Sequence, residues 1–159
     1  MFIDIKEIGR EGKSMSGELA LSPLNWQDEE ADVSKVAYNL FAEKSERGIL
    51  LSGLMDATVS LRCSRCSELY PLLLHVPFSL TLVEECRERN EGDHQLNEDK
   101  TDYFPLKEGK ADLNEVLAEQ IYLNIPLKPL CSSQCKGLCA RCGENLNRGR
   151  CGCFDGSQP

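Results

Sequence analysis

Histidine is scarce in this chain: His75 and His94 are the only two among 159 residues. A catalytic zinc usually keeps an open position and takes His or a carboxylate among three protein ligands, so the scarcity argues against such a centre. His75 reads as a solvated residue on the polar side of a strand, and His94 falls in a run of acids. No Ser/His/Asp arrangement, glycine-rich phosphate loop or pair of catalytic carboxylates is recognisable, so no enzyme activity is expected and no small-molecule substrate is implied. Apolar runs last only a few residues, far short of the ~20 needed to span a bilayer as a helix. The opening "MFIDIKEIGREGK" holds acids and no apolar h-region, so no signal peptide is expected and the chain reads as cytoplasmic. Aromatics make up 6%, and Trp26 with the Tyr and Phe residues reads as core or loop anchors, not as base-stacking platforms. Positive charge is also short, with 18 Lys and Arg against 26 Asp and Glu. The net −8 should repel bare nucleic acid unless a local patch overrides it.

What remains is a globular composition, 41% hydrophobic and 28% charged, with nine cysteines. From Ile49 to Cys63 the odd positions are mostly apolar and the even ones mostly polar. From Tyr70 the even positions repeat the apolar pattern through Leu82. Period-two alternation of that length predicts two half-buried strands. The connecting "CSRCSEL" predicts a long antiparallel hairpin with Cys63 and Cys66 at its tip.

Upstream, "VAYNLFAE" predicts a strand turned by "KSERG", and "FIDIKEI" and "GELAL" predict shorter ones. "REGKSMS" and "SPLNWQDEEAD" read as loops. After Val83, "EECRERNEGDHQLNEDK" holds seven acids and three bases and reads as a loop or disordered linker. "YFPL" predicts a short edge strand, where proline is tolerated. "DLNEVLAEQIYLN" predicts a helix over 112–124, with Asp112 as N-cap and Glu115 completing a capping box. Leu113, Val116, Leu117 and Ile121 share one face, and Pro126 ends the helix. The expected class is α+β: a mainly antiparallel β meander or barrel-like sheet, one amphipathic helix, and a C-terminal Cys-rich zinc-binding tail. The expected domains are residues 1–127, β-rich with the hairpin-tip CxxC, the acidic loop 84–101 and the helix, and residues 128–159, the tail docked on the hairpin tip.

Eight cysteines form four close pairs: Cys63/Cys66, Cys131/Cys135, Cys139/Cys142 and Cys151/Cys153. Two thiols separated by two residues in a tight turn can aim at one point, the knuckle of tetrahedral zinc sites. In a reducing compartment, clustered cysteines are more often ligands than disulfides. Each four-thiolate zinc needs two pairs, so two structural zinc ions are expected. Cys139 to Cys153 is short and glycine-containing enough to close one site, leaving Cys63 and Cys66 to share the other with Cys131 and Cys135. A split arrangement, Cys63/Cys66 with Cys139/Cys142 and Cys131/Cys135 with Cys151/Cys153, also satisfies the spacing. Cys86, the ninth, reads as a free thiol.

A tail with few large apolar residues cannot form a core. Structural zinc supplies roughly 10–16 kcal/mol in isolated fingers, enough to fold such a segment. From residue 128 onward the bases are Lys128, Lys136, Arg141, Arg148 and Arg150, against Glu144 and Asp155. They neutralise two centres of about −2 each, or they form a patch for RNA phosphate or an acidic partner. Two other chemistries use the same residues. A redox dithiol at Cys63 and Cys66 would want a helix N-terminus beside it. An iron–sulfur cluster in the tail would want different spacings. A thiol-based redox sensor that releases zinc on oxidation, and an iron–sulfur electron-transfer protein, are the remaining alternatives.

"LRCSRCSELY", the acidic stretch, "DYFPL", "DLNEVLAEQIYLNIPLKPLC" and "CKGLCARCGENLN…CGC", in that order, resemble the YceD family of large ribosomal RNA subunit accumulation proteins. The resemblance covers most of the chain. It implies non-catalytic cytoplasmic work in ribosome biogenesis, with ribosomal RNA, a large-subunit ribosomal protein or an assembly intermediate as partner. It also implies that some members keep the first cysteine pair and ligand types like Cys131 and Cys135 while lacking the final knuckle, which favours the first pairing.

Overall fold

The computed structural model describes residues 1–27, 29–84 and 102–154. Most of the acidic stretch lies outside them, with Cys86 and His94. The described chain is mostly strand with one α-helix. Its frame is a five-stranded sheet of β2 (Lys13–Leu19), β5 (Val36–Ser45), β6 (Gly48–Arg62), β7 (Leu69–Glu84) and β8 (Asp102–Leu106), in that spatial order. Two short pairs flank it: β1 (Phe2–Asp4) with β9 (Lys110–Asp112), and β3 (Leu24–Trp26) with β4 (Glu29–Ala31).

Alternation sets the register. On β6, Ile49, Leu51, Met55, Ala57, Val59 and Leu61 are buried, while Asp56, Ser60 and Arg62 on the other face are exposed. On β7 the buried side holds Leu74, Val76, Leu80 and Leu82. The two strands pair antiparallel from Ile49↔Leu82 to Arg62↔Leu69, which puts Cys63 and Cys66 in the connecting turn. A one-residue slip would turn both apolar rows to solvent, so burial pins the pairing. Pro71 and Pro77 fit because β8 pairs only the Leu80–Glu84 end of β7, leaving the rest of that strand as an edge.

Several local expectations differ from the outcome. Among the described residues the sheet does not close into a barrel: β2 and β8 are its two ends. β8 joins parallel to β7, so the last strand leaves the antiparallel meander. "KSMSGEL" is strand β2, paired along its whole length with β5, where "KSMS" reads locally as loop because its polar residues lie on a solvated face and edge. "LNW" and "EEA" form the β3–β4 pair inside the stretch expected to be loop. "FIDIKEI" is a strand only through Asp4 and continues as a 3-10 turn, Ile5–Glu7.

The helix α1, Leu113–Asn124, begins at its predicted cap: the Asp112 carboxylate accepts from the Asn114 N–H at 3.0 Å. Glu115 does not visibly serve a capping box; its carboxylate takes the Lys107 ammonium at 3.3 Å. Leu113, Val116, Leu117 and Ile121 are fully buried against the sheet core. Each such side chain contributes roughly 1.5–3 kcal/mol on burial. Burial pushes the Asp112 carboxyl up, but the Asn114 N–H and the Met1 amino group outweigh it and hold it below its ordinary 3.8. A depressed carboxylate stabilises the fold above its unfolded pKa and loses that contribution as pH falls through the folded value. Asp112→Ala is therefore expected to cost about 1 kcal/mol at neutral pH. Denaturant titrations should show the gap from wild type closing below the ordinary carboxylate range.

Candidate metal centre

The hexapeptides "CSRCSE" and "CARCGE" fold alike. In the first, Cys63 N–H donates to the Glu68 carbonyl at 2.9 Å and Ser67 N–H to the Cys63 carbonyl at 2.9 Å. In the second, Cys139 N–H donates to the Glu144 carbonyl at 2.8 Å and Gly143 N–H to the Cys139 carbonyl at 2.9 Å. The residue after the second thiol takes left-handed backbone in both, Gly143 at φ 74° and Ser67 at φ 56°. This turn makes the two sulfurs of each CxxC converge. Serine adopts an angle there that glycine reaches without steric cost.

The structure gathers the eight described thiols into two groups of four, Cys63/Cys66/Cys131/Cys135 and Cys139/Cys142/Cys151/Cys153; within each, the sulfurs lie within 4.8 Å of one another. These are the groups of the first pairing, not of the split arrangement. Cys63 Sγ lies 3.7 Å from Cys135 Sγ, and Cys66 Sγ 3.7 Å from Cys131 Sγ. Four thiolates around zinc at ~2.3 Å are separated by about 3.8 Å along each tetrahedral edge, whereas a disulfide brings sulfurs to ~2.05 Å. The donor set therefore fits a tetrahedral metal ion, and the two clusters could each hold one.

The groups differ in setting. In the first, Cys63, Cys66 and Cys135 are buried among Tyr70, Leu130 and Cys131, and Tyr70 also packs on the main core. Ser64 N–H donates to the Pro129 carbonyl at 2.8 Å, and Arg65 Nη1 to the Cys135 carbonyl at 2.9 Å, tying the hairpin tip to the segment after the helix. In the second, Cys139 and Cys151 are buried, Cys153 is half-buried and Cys142 is exposed.

The thiols of each group compete for negative charge. Burial pushes Cys63 up, but the backbone N–H groups of Cys131, Cys66 and Arg65 outweigh it and hold Cys63 at about 6. Burial and the neighbouring Cys135, Cys63 and Cys66 side chains push Cys131 up to about 12. In the second group, the N–H groups of Cys142 and Arg141 lower Cys139 to about 6. Hydrogen bonding to Cys142, then burial, pushes Cys153 up to about 12. Crowded thiols cannot all ionise by themselves, and a divalent cation at the centre removes the conflict.

Of the five tail bases, Arg148 is engaged with Glu68 through its guanidinium. Lys128, Lys136, Arg141 and Arg150 are exposed near the thiol groups in sequence. A reading confined to the tail missed Arg62 and Arg65 at the hairpin tip, although "RCSRC" displays both. Arg62 meets Glu29 at 2.8 Å. It also missed Asn147, whose side-chain amide donates to Cys135 Sγ at 3.3 Å; nothing in the spacing of the cysteines marks that residue. His75 is exposed, its ring paired with Asp56 at 2.6 Å across β6 and β7, away from the thiols in sequence and register. Trp26 stacks obliquely on Tyr122, whose hydroxyl donates to the Asn25 carbonyl, so the pair anchors the β3–β4 segment to the helix.

By fold and site this is a strand-rich protein whose long hairpin ends in a four-thiol cluster shared with the segment following the helix, with a second cluster beyond it. The chain belongs to the family described as large ribosomal RNA subunit accumulation protein YceD, whose model matches residues 51–159. It is similar to the chloroplastic YCED homolog 1 of Arabidopsis thaliana, with 27% identity over 144 residues, 77% of this chain and 44% of that protein. The corresponding protein of Zea mays is 29% identical over 119 residues, covering 61% of this chain and 41% of its own length. An uncharacterised Mycobacterium leprae protein is 26% identical over 116 residues, 68% of this chain and 48% of that protein. The chain thus spans under half the length of each of these relatives. No solved structure matches it. Among the described residues, no helix is long and apolar enough to cross a membrane.

Proposed function

We propose that this chain is a non-catalytic, cytoplasmic ribosome biogenesis factor that supports accumulation of large-subunit ribosomal RNA, with two structural zinc ions holding its shape. The observation that carries the reading is the family match over residues 51–159, which spans both thiol clusters. The zinc assignment rests on all-sulfur donor sets, which suit Zn²⁺ over harder cations. Cys63, Cys66, Cys131 and Cys135 would hold one ion, and Cys139, Cys142, Cys151 and Cys153 the other. Four protein ligands close the coordination shell, as in structural sites; catalytic zinc keeps a position open. The metals thereby take a folding role, and the non-catalytic reading follows from that role together with the family description.

On this reading the chain works as two parts. Residues 1–127 form the β-rich body, and residues 128–159 a metal-folded tail seated on the hairpin tip. Exposed Lys128, Lys136, Arg141 and Arg150 would meet ribosomal RNA or an acidic face of an assembly intermediate, with Arg148 bracing the tail on Glu68. The overall −8 makes such contact local and salt-sensitive.

The test is a pull-down of the tagged chain at low and moderate salt, with sequencing of bound RNA and identification of bound proteins. Large-subunit ribosomal RNA precursors or large-subunit proteins are expected, with the RNA reduced by Lys136→Glu combined with Arg141→Glu. Recovery of neither class at low salt would remove the proposal.

A further inference from the structure

Asn147 lies in the loop between Cys142 and Cys151, inside the second thiol group, yet its amide touches the first. Its Nδ2 donates to Cys135 Sγ at 3.3 Å, while its Oδ1 accepts from the Lys136 N–H at 2.8 Å. The second contact settles the orientation of the amide. A backbone N–H can only donate, so the oxygen must face Lys136 and the NH₂ must face the sulfur.

The same loop is fastened to the first centre's surroundings elsewhere. Leu146 N–H donates to the Gly137 carbonyl at 2.9 Å, and Arg148 pairs with Glu68 beside the first knuckle. Within the loop, Asn145 Oδ1 accepts from both the backbone N–H and the Nδ2 of Asn147 at 2.9 Å, presetting the side chain. The loop has little apolar packing of its own, and its two ends carry the four thiols of the second group.

We propose that Asn147 couples the two centres: closing the second group around a metal ion positions an amide donor on a ligand sulfur of the first, so the first holds its metal more tightly when the second is filled. The proposal rests on the reading of both groups as metal sites. A donor to a ligating thiolate stabilises its charge, and loss of such outer partners typically costs roughly 10- to 100-fold in metal affinity. Asn147 is a positioning residue here, since it touches the ligand and not the metal.

The experiment uses the full chain loaded with cobalt(II) and challenged with EDTA, following the thiolate-to-cobalt absorbance. The phase lost in Cys151→Ser/Cys153→Ser belongs to the second centre. Asn147→Asp keeps the size and the acceptor toward Lys136 but puts an anion beside the sulfur. It is expected to speed release from the first centre roughly 10- to 100-fold while leaving the second phase in place. Asn147→Ala, which removes the donor without adding a charge, should act in the same direction at the lower end of that range, roughly 10-fold, and it serves as the test if the aspartate variant loses both phases. In the Cys151→Ser/Cys153→Ser background, where the loop is already loosened, Asn147→Ala should add little. An unchanged first-centre rate in both variants, or a full effect of Asn147→Ala in that background, overturns the coupling. A wild-type chain that takes up no cobalt overturns the metal reading itself, a distinct failure.

Discussion

Replacing Cys63 and Cys66 by serine is expected, on the proposed zinc reading, to remove one of two metal ions and to detach the segment after Pro129 from the hairpin. The reason lies in chain distance. Cys63 meets Cys135 across 72 positions, and Cys66 meets Cys131 across 65, so the first group is the strongest link between tail and body. Without metal that link reduces to a few hydrogen bonds, such as Ser64 N–H to Pro129 and Arg65 to the Cys135 carbonyl, together with the Arg148–Glu68 pair and the packing of Tyr70 and Leu130 on the thiols. Structural zinc contributes roughly 10–16 kcal/mol in isolated fingers, comparable to the ~5–15 kcal/mol stability of a whole domain. Metal content per chain should fall from two to one, and proteolysis should cut first between residues 128 and 136. Cys151→Ser/Cys153→Ser should also leave one zinc, with cleavage confined to the loop after Cys139. If the chelated wild-type chain resists protease and melts as the metal-loaded one does, the sulfurs are not a structural centre.

Gly53→Ala should damage the sheet severely for a single added methyl. Gly53 sits mid-strand on β6, opposite Leu40 on one side and Phe78 on the other. A Cβ there would meet the Asn39 carbonyl oxygen at 2.2 Å and the Leu40 Cα at 2.8 Å. Both are backbone atoms of the neighbouring strand, so no side-chain rotation relieves the clash. The position also has φ 155°, which side-chain-bearing residues rarely adopt. Overpacking and backbone strain each cost roughly 1–3 kcal/mol, so a total of about 3–5 kcal/mol is expected. For a chain of this size that lowers Tm by on the order of 10 °C. Gly9→Ala is the control, since nothing lies within 4 Å of its added methyl. Equal melting temperatures for the two variants would show that β5 and β6 can part at this point without cost.

Much of this protein was legible locally. The long hairpin, its cysteine tip, the helix cap at Asp112 and the helix stop before Pro126 follow from periodicities and residue preferences that act within a few positions. The Lys13–Ser16 part of β2 and the β3–β4 pair were not legible, because these stretches become strand only when a neighbour supplies the other half of the hydrogen-bond ladder. The parallel placement of β8 was equally hidden: a strand's direction relative to its neighbour depends on the route of the connection, not on its own five residues.

The residue order alone determined which thiols come in pairs and that each CxxC turns tightly enough to aim both sulfurs one way, since those are constraints of bond geometry over six residues. Tertiary structure decided which pairs meet, which cluster is buried, and that Asn147 reaches across from one to the other. Those contacts join positions 12 to 72 apart; the packing of the hairpin against the segment after the helix brings the far ones within ligand distance, and the fold of the tail on itself brings Asn147 to Cys135.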